Sequence, residues 1–195
     1  MEDVLVVAFG YLLGSVPFAF LLARRGGIDL RETGSGNVGA TNVLRTRGLV
    51  QALMVVGLDA AKGMLAVIVA QRLADGPATP VVAGLAAVIG HIYPVWLRFR
   101  GGKGVATTGG MFAVLVPVPA GIAIVVFVLM AAATRYVSAG SVAGAVTLTL
   151  ATIASGAPRA VAVGSAIAAV MIIYRHRDNL GRLAAGTERR IGQRV

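Results

Sequence analysis

The sequence predicts an all-α fold: a polytopic membrane helical bundle with seven transmembrane helices, amino terminus outside and carboxyl terminus cytoplasmic. Three observations lead there. The 195 residues are 57% hydrophobic, with a mean hydropathy of +0.83, too apolar for a soluble domain of this length. Apolar runs recur at 4–23, 49–73, 80–97, 105–133, 139–155 and 160–174. They match the scale of the roughly 20 helical residues that cross a hydrocarbon core of about 30 Å. Cations, finally, divide unequally between the loops. Alternating strand patterns are absent, and the 26 glycines suit close helix packing in lipid. Residues 1–195 read as a single integral membrane domain with no soluble appendage.

The run at 4–23 is not a cleavable signal, because Glu2 and Asp3 stand where a basic segment would and the cations follow instead. Residues 24–37 read as a cytoplasmic loop and 38–48 as a short helix near the interface. The runs at 49–73 and 80–97 each read as one span. The run at 105–133 is interrupted by Pro117-Val-Pro119, so it reads as one kinked span or as two. Cation counting decides. With two spans, the chain crosses seven times and the inner segments hold Arg24, Arg25, Arg31, Arg45, Arg47, Arg98, Arg100, Lys103, Arg135, Arg175, Arg177, Arg182, Arg189, Arg190 and Arg194. That leaves Arg72 and Arg159 outside and Lys62 within a span, out of 18 cations in all. With one span, nine fall inside and eight outside, which is hardly a bias. The first half, 105–117, is only about 20 Å of helix, so it is tilted or lies partly in the protein interior. The runs at 139–155 and 160–174 complete the seven, and 175–195 is a basic tail.

Tyr93, Trp96, Tyr136 and Tyr174 fall near the inner helix ends, where an aromatic belt belongs. The outer loops, Ala74-Asp-Gly-Pro-Ala-Thr79 and Ser155-Gly-Ala-Pro158, are short. The net charge of +10 is accounted for by this topology and gives no reason to invoke nucleic acid. With no cysteine, disulfides, thiolate metal sites and a cysteine nucleophile are excluded. Two histidines without a carboxylate cluster argue against a structural metal.

Two stretches do not look like membrane packing. They are Gly34-Ser-Gly-Asn-Val-Gly-Ala-Thr-Asn-Val-Leu-Arg-Thr-Arg-Gly48 and Arg98-Phe-Arg-Gly-Gly-Lys-Gly-Val-Ala-Thr-Thr-Gly-Gly110. Each joins glycines, small polar side chains and cations, and each leads into an apolar segment. Glycine lets backbone N–H groups approach a ligand, while helix N-termini and cations favour anions. The polar residues Ser35, Asn37, Thr41, Asn42, Arg45, Lys103, Thr107, Thr108, Arg135, Ser138, Ser141, His176 and Asn179 gather on the predicted cytoplasmic face. Three spans begin at that face, so their positive dipole ends point to the same side. A substrate carrying one or two phosphates fits there, with any acyl chain held by the membrane.

Plainer readings exist for each residue. An inner-loop cation satisfies the positive-inside rule whatever the protein does. Gly101, Gly102, Lys103 and Gly104 alone could form a tight turn. They are not a nucleotide P-loop, which needs glycine and serine or threonine where Leu97 and Gly104 stand. Ser35, Asn37 and Asn42 could cap helices. Asp59 and Lys62, at i and i+3 within a span, share a helix face and form either a functional site or a self-neutralised pair. His91 reads as a hydrogen-bonded structural histidine rather than a ligand.

At these residues the chain resembles the bacterial membrane glycerol-3-phosphate acyltransferases that use acyl phosphate as donor. Gly14-Ser-Val-Pro17 with Gly34 through Arg45 resembles the first family motif. Gly90-His-Ile-Tyr-Pro94 through Phe99-Arg-Gly-Gly-Lys-Gly-Val-Ala-Thr107 resembles the second. His176-Arg-Asp-Asn179 with Ala185-Gly-Thr-Glu188 resembles the third, Asp178 standing where other members carry Glu. The resemblance implies seven helices and a multi-pass protein of the cell (cytoplasmic) membrane, the inner membrane of phospholipid synthesis, with its site on the cytoplasmic face. It implies acyl transfer from acyl phosphate to the 1-hydroxyl of sn-glycerol 3-phosphate, giving lysophosphatidic acid. It also implies contact with the soluble enzyme that forms acyl phosphate.

A mixed anhydride is already activated, so orientation and charge stabilisation matter more than a covalent nucleophile, and the chemistry calls for no cofactor or metal. The expected catalytic set is Ser35, Arg45, Lys103, His176 and Asn179. The expected substrate-binding set is Asn37, Thr41, Asn42, Gly101, Gly102, Gly104, Thr107, Ser138 and Ser141. Lys103, Arg45 and the backbone around Gly101–Gly104 are expected to hold the acyl phosphate. The base is either His176 or the donor's own phosphate. No His-x-x-x-x-Asp motif is present, since Trp96 follows His91 and Gly181 follows His176 at that spacing; acyltransferases using acyl-CoA or acyl carrier protein carry that motif. A transporter of a phosphorylated solute would bind at the midplane between repeated halves, and no repeat is found. A scaffold would account for the small residues but not for the Gly-Lys-Gly loop.

Overall fold

The computed structural model describes residues 1–193, so Arg194, counted among the inner cations, lies outside the described residues. Among them the chain forms ten α-helices and a 3-10 turn, with no strand. Residues 1–111 and 112–193 form two compact units.

In the first unit, the run expected at 4–23 is two helices, α1 (Glu2–Ser15) and α2 (Phe18–Arg25). Pro17 lacks an N–H and disfavours the helical conformation at the residue before it, and Val16 is accordingly extended. Taken together they make a candidate span over Glu2–Arg25. The short interfacial helix is α3 (Ala40–Arg47), and α4 (Leu49–Leu73) has the expected bounds. Next, α5 (Thr79–Ile92) stops before Pro94, and the 3-10 turn Val95–Leu97 completes that span.

The interrupted run divides at Val116, beside the predicted proline break. It gives α6 (Val105–Leu115), which continues into the second unit, and α7 (Pro117–Thr134). Then come α8 (Val137–Ala154) and α9 (Arg159–Arg175), which bends by 57° into α10 (Arg177–Ala184). This last helix was not foreseen in the basic tail. Five helical segments have the length and apolarity to cross a membrane, or six if the bent pair is one span. The eleven residues of α6 reach only about 16 Å, roughly half a hydrocarbon core. An apolar helix thus stands where the seventh segment is expected, and it is shorter than a span.

Many of the buried residues are alanine or glycine, while large apolar side chains such as Leu53, Leu129 and Val170 are left exposed. Lipid tails are as apolar as leucine, so helices in a bilayer associate through close backbone contact. A Cβ at Gly14 of α1 would run into the Ala87 carbonyl of α5, and one at Gly90 into the Tyr11 carbonyl. Likewise a Cβ at Gly63 of α4 would strike the Thr107 carbonyl, and one at Gly110 the Ala60 carbonyl, so α4 and α6 meet backbone to backbone. At the first glycine-rich loop, Ala19, Phe20, Leu30, Val38, Val43, Val55 and Leu97 form one apolar cluster that joins α2, α3 and α4 to the 3-10 turn.

In the second unit, α7 meets α8 in the same way, a Cβ at Gly140 lying 2.6 Å from the Phe127 carbonyl oxygen. Hydroxyls on α8 bond back into their own helix, Ser141 to the Val137 carbonyl and Thr152 to that of Leu148. Hydroxyls at membrane depth are thereby satisfied without water.

Candidate active site

The first glycine-rich loop is organised by Asn42, which is buried at the start of α3. Its side-chain oxygen accepts the Ser35 N–H at 3.0 Å, and its amide donates to the Leu30 and Thr33 carbonyls at 3.2 and 2.9 Å. Every arm of that amide is occupied by the loop, so Asn42 acts here by shaping it. Arg47 ties the other end, donating to the Gly26 carbonyl at 3.1 Å. Asp29 and Arg31 pair at 2.6 Å on the exposed side. Hydrogen bonds from the Arg31 side chain and backbone hold the Asp29 carboxyl down at about 2. On this frame Ser35 is exposed, while Asn37, Thr41 and Arg45 are half-buried.

The second loop is a cap on the carboxyl end of α5. A helix leaves its last carbonyls without partners. Here Gly101 N–H donates to the Ile92 carbonyl at 3.0 Å and Gly102 N–H to that of His91 at 3.1 Å. Reaching them forces Arg98 and Phe99 into left-handed backbone, at φ 51° and 61°, which non-glycine residues seldom adopt. The sequence reading had these two amides facing a phosphate. The structure directs them to α5, because buried carbonyls need donors. Gly104, at φ 83°, starts α6, and its carbonyl accepts the Thr108 N–H at 2.8 Å. The first amides of α6 have no partner within the helix, and half-buried Lys103 stands beside them. The hydroxyls of Thr107 and Thr108 are buried there without a hydrogen bond.

A small cleft opens beside these loops. Its lining includes Ser15, Pro17 and Phe18 at the α1–α2 break, Val38 from the first loop, and Leu97, Gly101 and Gly102 from the second. Asp59, Lys62 and His91 form its charged wall. The Lys62 Nζ lies 2.8 Å from Asp59 Oδ1, and His91 Nδ1 lies 3.4 Å from the same oxygen. The predicted Asp59–Lys62 pair therefore exists and has a third member that the one-helix spacing could not reveal.

The second unit holds the remaining predicted residues, and two of them, Ser138 and Asn179, meet at Glu188, to which the sequence assigns no role. It accepts from Ser138 Oγ at 3.0 Å, from Asn179 Nδ2 at 2.6 Å and from Arg182 Nε at 2.7 Å. Burial pushes this carboxyl up. The hydrogen bonds from Asn179, Arg182 and Ser138 outweigh it and hold the group below its ordinary 4.5. The available signal was one of two acids, with Asp178 the other, among the arginines of the tail. His176 caps α10 and is buried. Its Nδ1 lies 2.8 Å from the Ile172 carbonyl, an acceptor only, so Nδ1 carries the proton and the neutral ring keeps its lone pair on Nε2. Ser141 is committed to its own helix. Among the described residues no group of three histidine, aspartate or glutamate side chains is placed to hold a metal.

Comparison with known proteins identifies the family of the chain. A family model described as glycerol-3-phosphate acyltransferase matches residues 4–186. The glycerol-3-phosphate acyltransferase of Synechococcus sp. (strain CC9902) is 46% identical over 196 residues, covering 100% of this chain and 98% of that protein. The one from Parasynechococcus marenigrum (strain WH8102) is 48% identical over 197 residues, covering 100% and 92%. Among solved structures, PlsY (YgiH), an integral membrane glycerol 3-phosphate acyltransferase, superposes in its glycerol 3-phosphate form with a TM-score of 0.94 at 38% identity. That match covers 98% of this chain and 96% of the other. The lysophosphatidic acid form of the same protein gives a TM-score of 0.92 at 37% identity.

Proposed function

The chain belongs to the glycerol-3-phosphate acyltransferase family, and on that premise we propose that acyl phosphate is its donor and lysophosphatidic acid its product. It is an integral membrane acyltransferase with several spans. The 1-hydroxyl oxygen of sn-glycerol 3-phosphate attacks the acyl carbonyl carbon. A new C–O ester bond forms, the bond to the phosphate oxygen breaks, and phosphate leaves with the electron pair. The hydroxyl proton passes to His176 Nε2 or to an oxygen of the departing phosphate.

The observation that carries this reading is the junction at Gly104. A loop braced on α5 delivers Lys103 to the first amides of α6, which is the local chemistry a departing phosphate requires. Arg45 and Lys103 hold the donor's charge. Ser35, Asn37, Thr41 and Thr107 position the substrates, while Asn42 and Gly101, Gly102 and Gly104 keep the loops in shape. In the second unit, Asn179 and Ser138 act from the Glu188 cluster, with Ser141 one turn further along α8. The solved relative's glycerol 3-phosphate and lysophosphatidic acid forms support this acceptor and product.

Residues 1–195 work as one domain in the cell (cytoplasmic) membrane. Seven crossings, with α6 as the short one, put the amino terminus outside and the site on the cytoplasmic face, as cation placement favours. A water-soluble enzyme that makes acyl phosphate is the partner this donor calls for. The test is turnover by purified protein in detergent, with palmitoyl phosphate or palmitoyl-CoA and labelled glycerol 3-phosphate. Product from acyl phosphate alone is expected; product from acyl-CoA alone overturns the donor.

A further inference from the structure

The charged wall of the cleft has no part in the reaction just described. Two ionised groups and an imidazole inside the helical core are costly where alanine or leucine would pack. Lys62 and Asp59 are each 2% exposed. The chain carries only two lysines, Lys62 and Lys103, and the buried one is wired toward the loop that carries the other. Lys62 Nζ donates to the Val16 carbonyl at 3.2 Å, at the break before Pro17, and pairs with Asp59 Oδ1. That oxygen also meets His91 Nδ1. The His91 carbonyl takes the Gly102 N–H, and a Cβ on Gly102 would strike His91 Nε2, so the ring packs on the loop backbone. The path runs from the broken first span to the residue before Lys103.

We propose that Asp59, Lys62 and His91 are positioning residues for the donor: they brace the Gly101–Gly104 loop against the α1–α2 break and so set where Lys103 stands. This rests on the reading that Lys103 meets the acyl donor. A self-neutralised pair that merely packs the bundle would leave donor affinity alone. A bracing network tunes donor affinity specifically, because it ends at the donor loop.

The test uses the full chain in detergent, and the donor is identified first on the unsubstituted protein. Use of acyl-CoA would refute the donor assignment, and the network is then judged on the KM for that donor. In His91→Ala the donor KM should rise at least tenfold, with the glycerol 3-phosphate KM within twofold and thermal unfolding little changed. His91→Asn, whose amide nitrogen can replace Nδ1, should return the donor KM to within threefold. A readout independent of turnover is the labelling rate of Lys103 by an amine reagent, with Lys62 protected by burial. It should change at least threefold in His91→Ala and revert in His91→Asn. If His91→Ala does not fold, the neutral double variant Asp59→Asn/Lys62→Met takes its place. A donor KM within twofold of the unsubstituted protein, or a fall in kcat with both KM values unmoved, overturns the proposal.

Discussion

Lys103 is the residue on which the proposed chemistry turns. It is one of two lysines in the chain, and it stands between a braced loop and the start of α6. Removing its charge should cut turnover at least ~100-fold, about 2.7 kcal/mol of transition-state stabilisation, while the protein stays folded. Lys103→Ala kinetics beside a thermal melt decide this, and near-normal turnover would remove its role. His176 poses a different question. Its Nδ1 is committed to the Ile172 carbonyl, which leaves Nε2 as the basic atom. If that nitrogen takes the hydroxyl proton, His176→Ala should lower the rate and alter the pH profile of kcat/KM. A lowered rate with an unchanged pH profile would instead assign the proton to the donor's phosphate.

Helices α4 and α10 illustrate what sequence pattern can and cannot say about an element. Two glycines of α4 look alike in sequence and differ in surroundings. Gly57 has open space where a Cβ would go, whereas Gly63 faces the Thr107 carbonyl of α6. Gly57→Ala should be neutral or stabilising by about 0.5–1 kcal/mol. Gly63→Ala should cost about 1–3 kcal/mol as the two helices are forced apart. Detergent unfolding of both variants compares them directly, and equal melting temperatures would refute the close α4–α6 packing.

The short α10 is held through Glu188, whose carboxyl sits below its ordinary value in the folded state. A depressed pKa means stability that is present above the unfolded value and lost as pH falls through the folded one. Melting temperature should therefore drop as pH is lowered below about 4.5, and Glu188→Gln should flatten that drop. An unchanged acid limb in Glu188→Gln would show that this cluster does not govern it.

For the whole molecule, the remaining question is which way it sits in the bilayer. The proposed seven crossings would place the amino-terminal amine and Lys103 on opposite sides; the other amine, Lys62, is buried. A membrane-impermeant amine reagent should label Lys103 only in inverted vesicles and the amino terminus only in right-side-out ones. Labelling of both groups from one side would require an even number of crossings between them. Substrate protection of Lys103 from the cytoplasmic side alone separates the enzyme from a transporter, which would expose its site to each side in turn.

What the sequence determined by itself was where the chain is helical and where it breaks. Hydropathy located six apolar runs, Pro117 marked the α6–α7 division, and the two glycine-rich strings marked the loops on which the proposed site is built. Those properties are local, carried by composition and proline chemistry within a few residues. What only the tertiary structure decided was which polar groups are already spent. The Gly101 and Gly102 amides go to α5, Asn42 to its own loop, and Lys62 to a carbonyl 46 residues away. Ser138 goes to a carboxylate 50 residues away. No window along the chain contains both partners of such long-range bonds. In a low-dielectric interior a buried donor or acceptor strongly favours a partner, and that partner is set by which backbones the close helix contacts bring together.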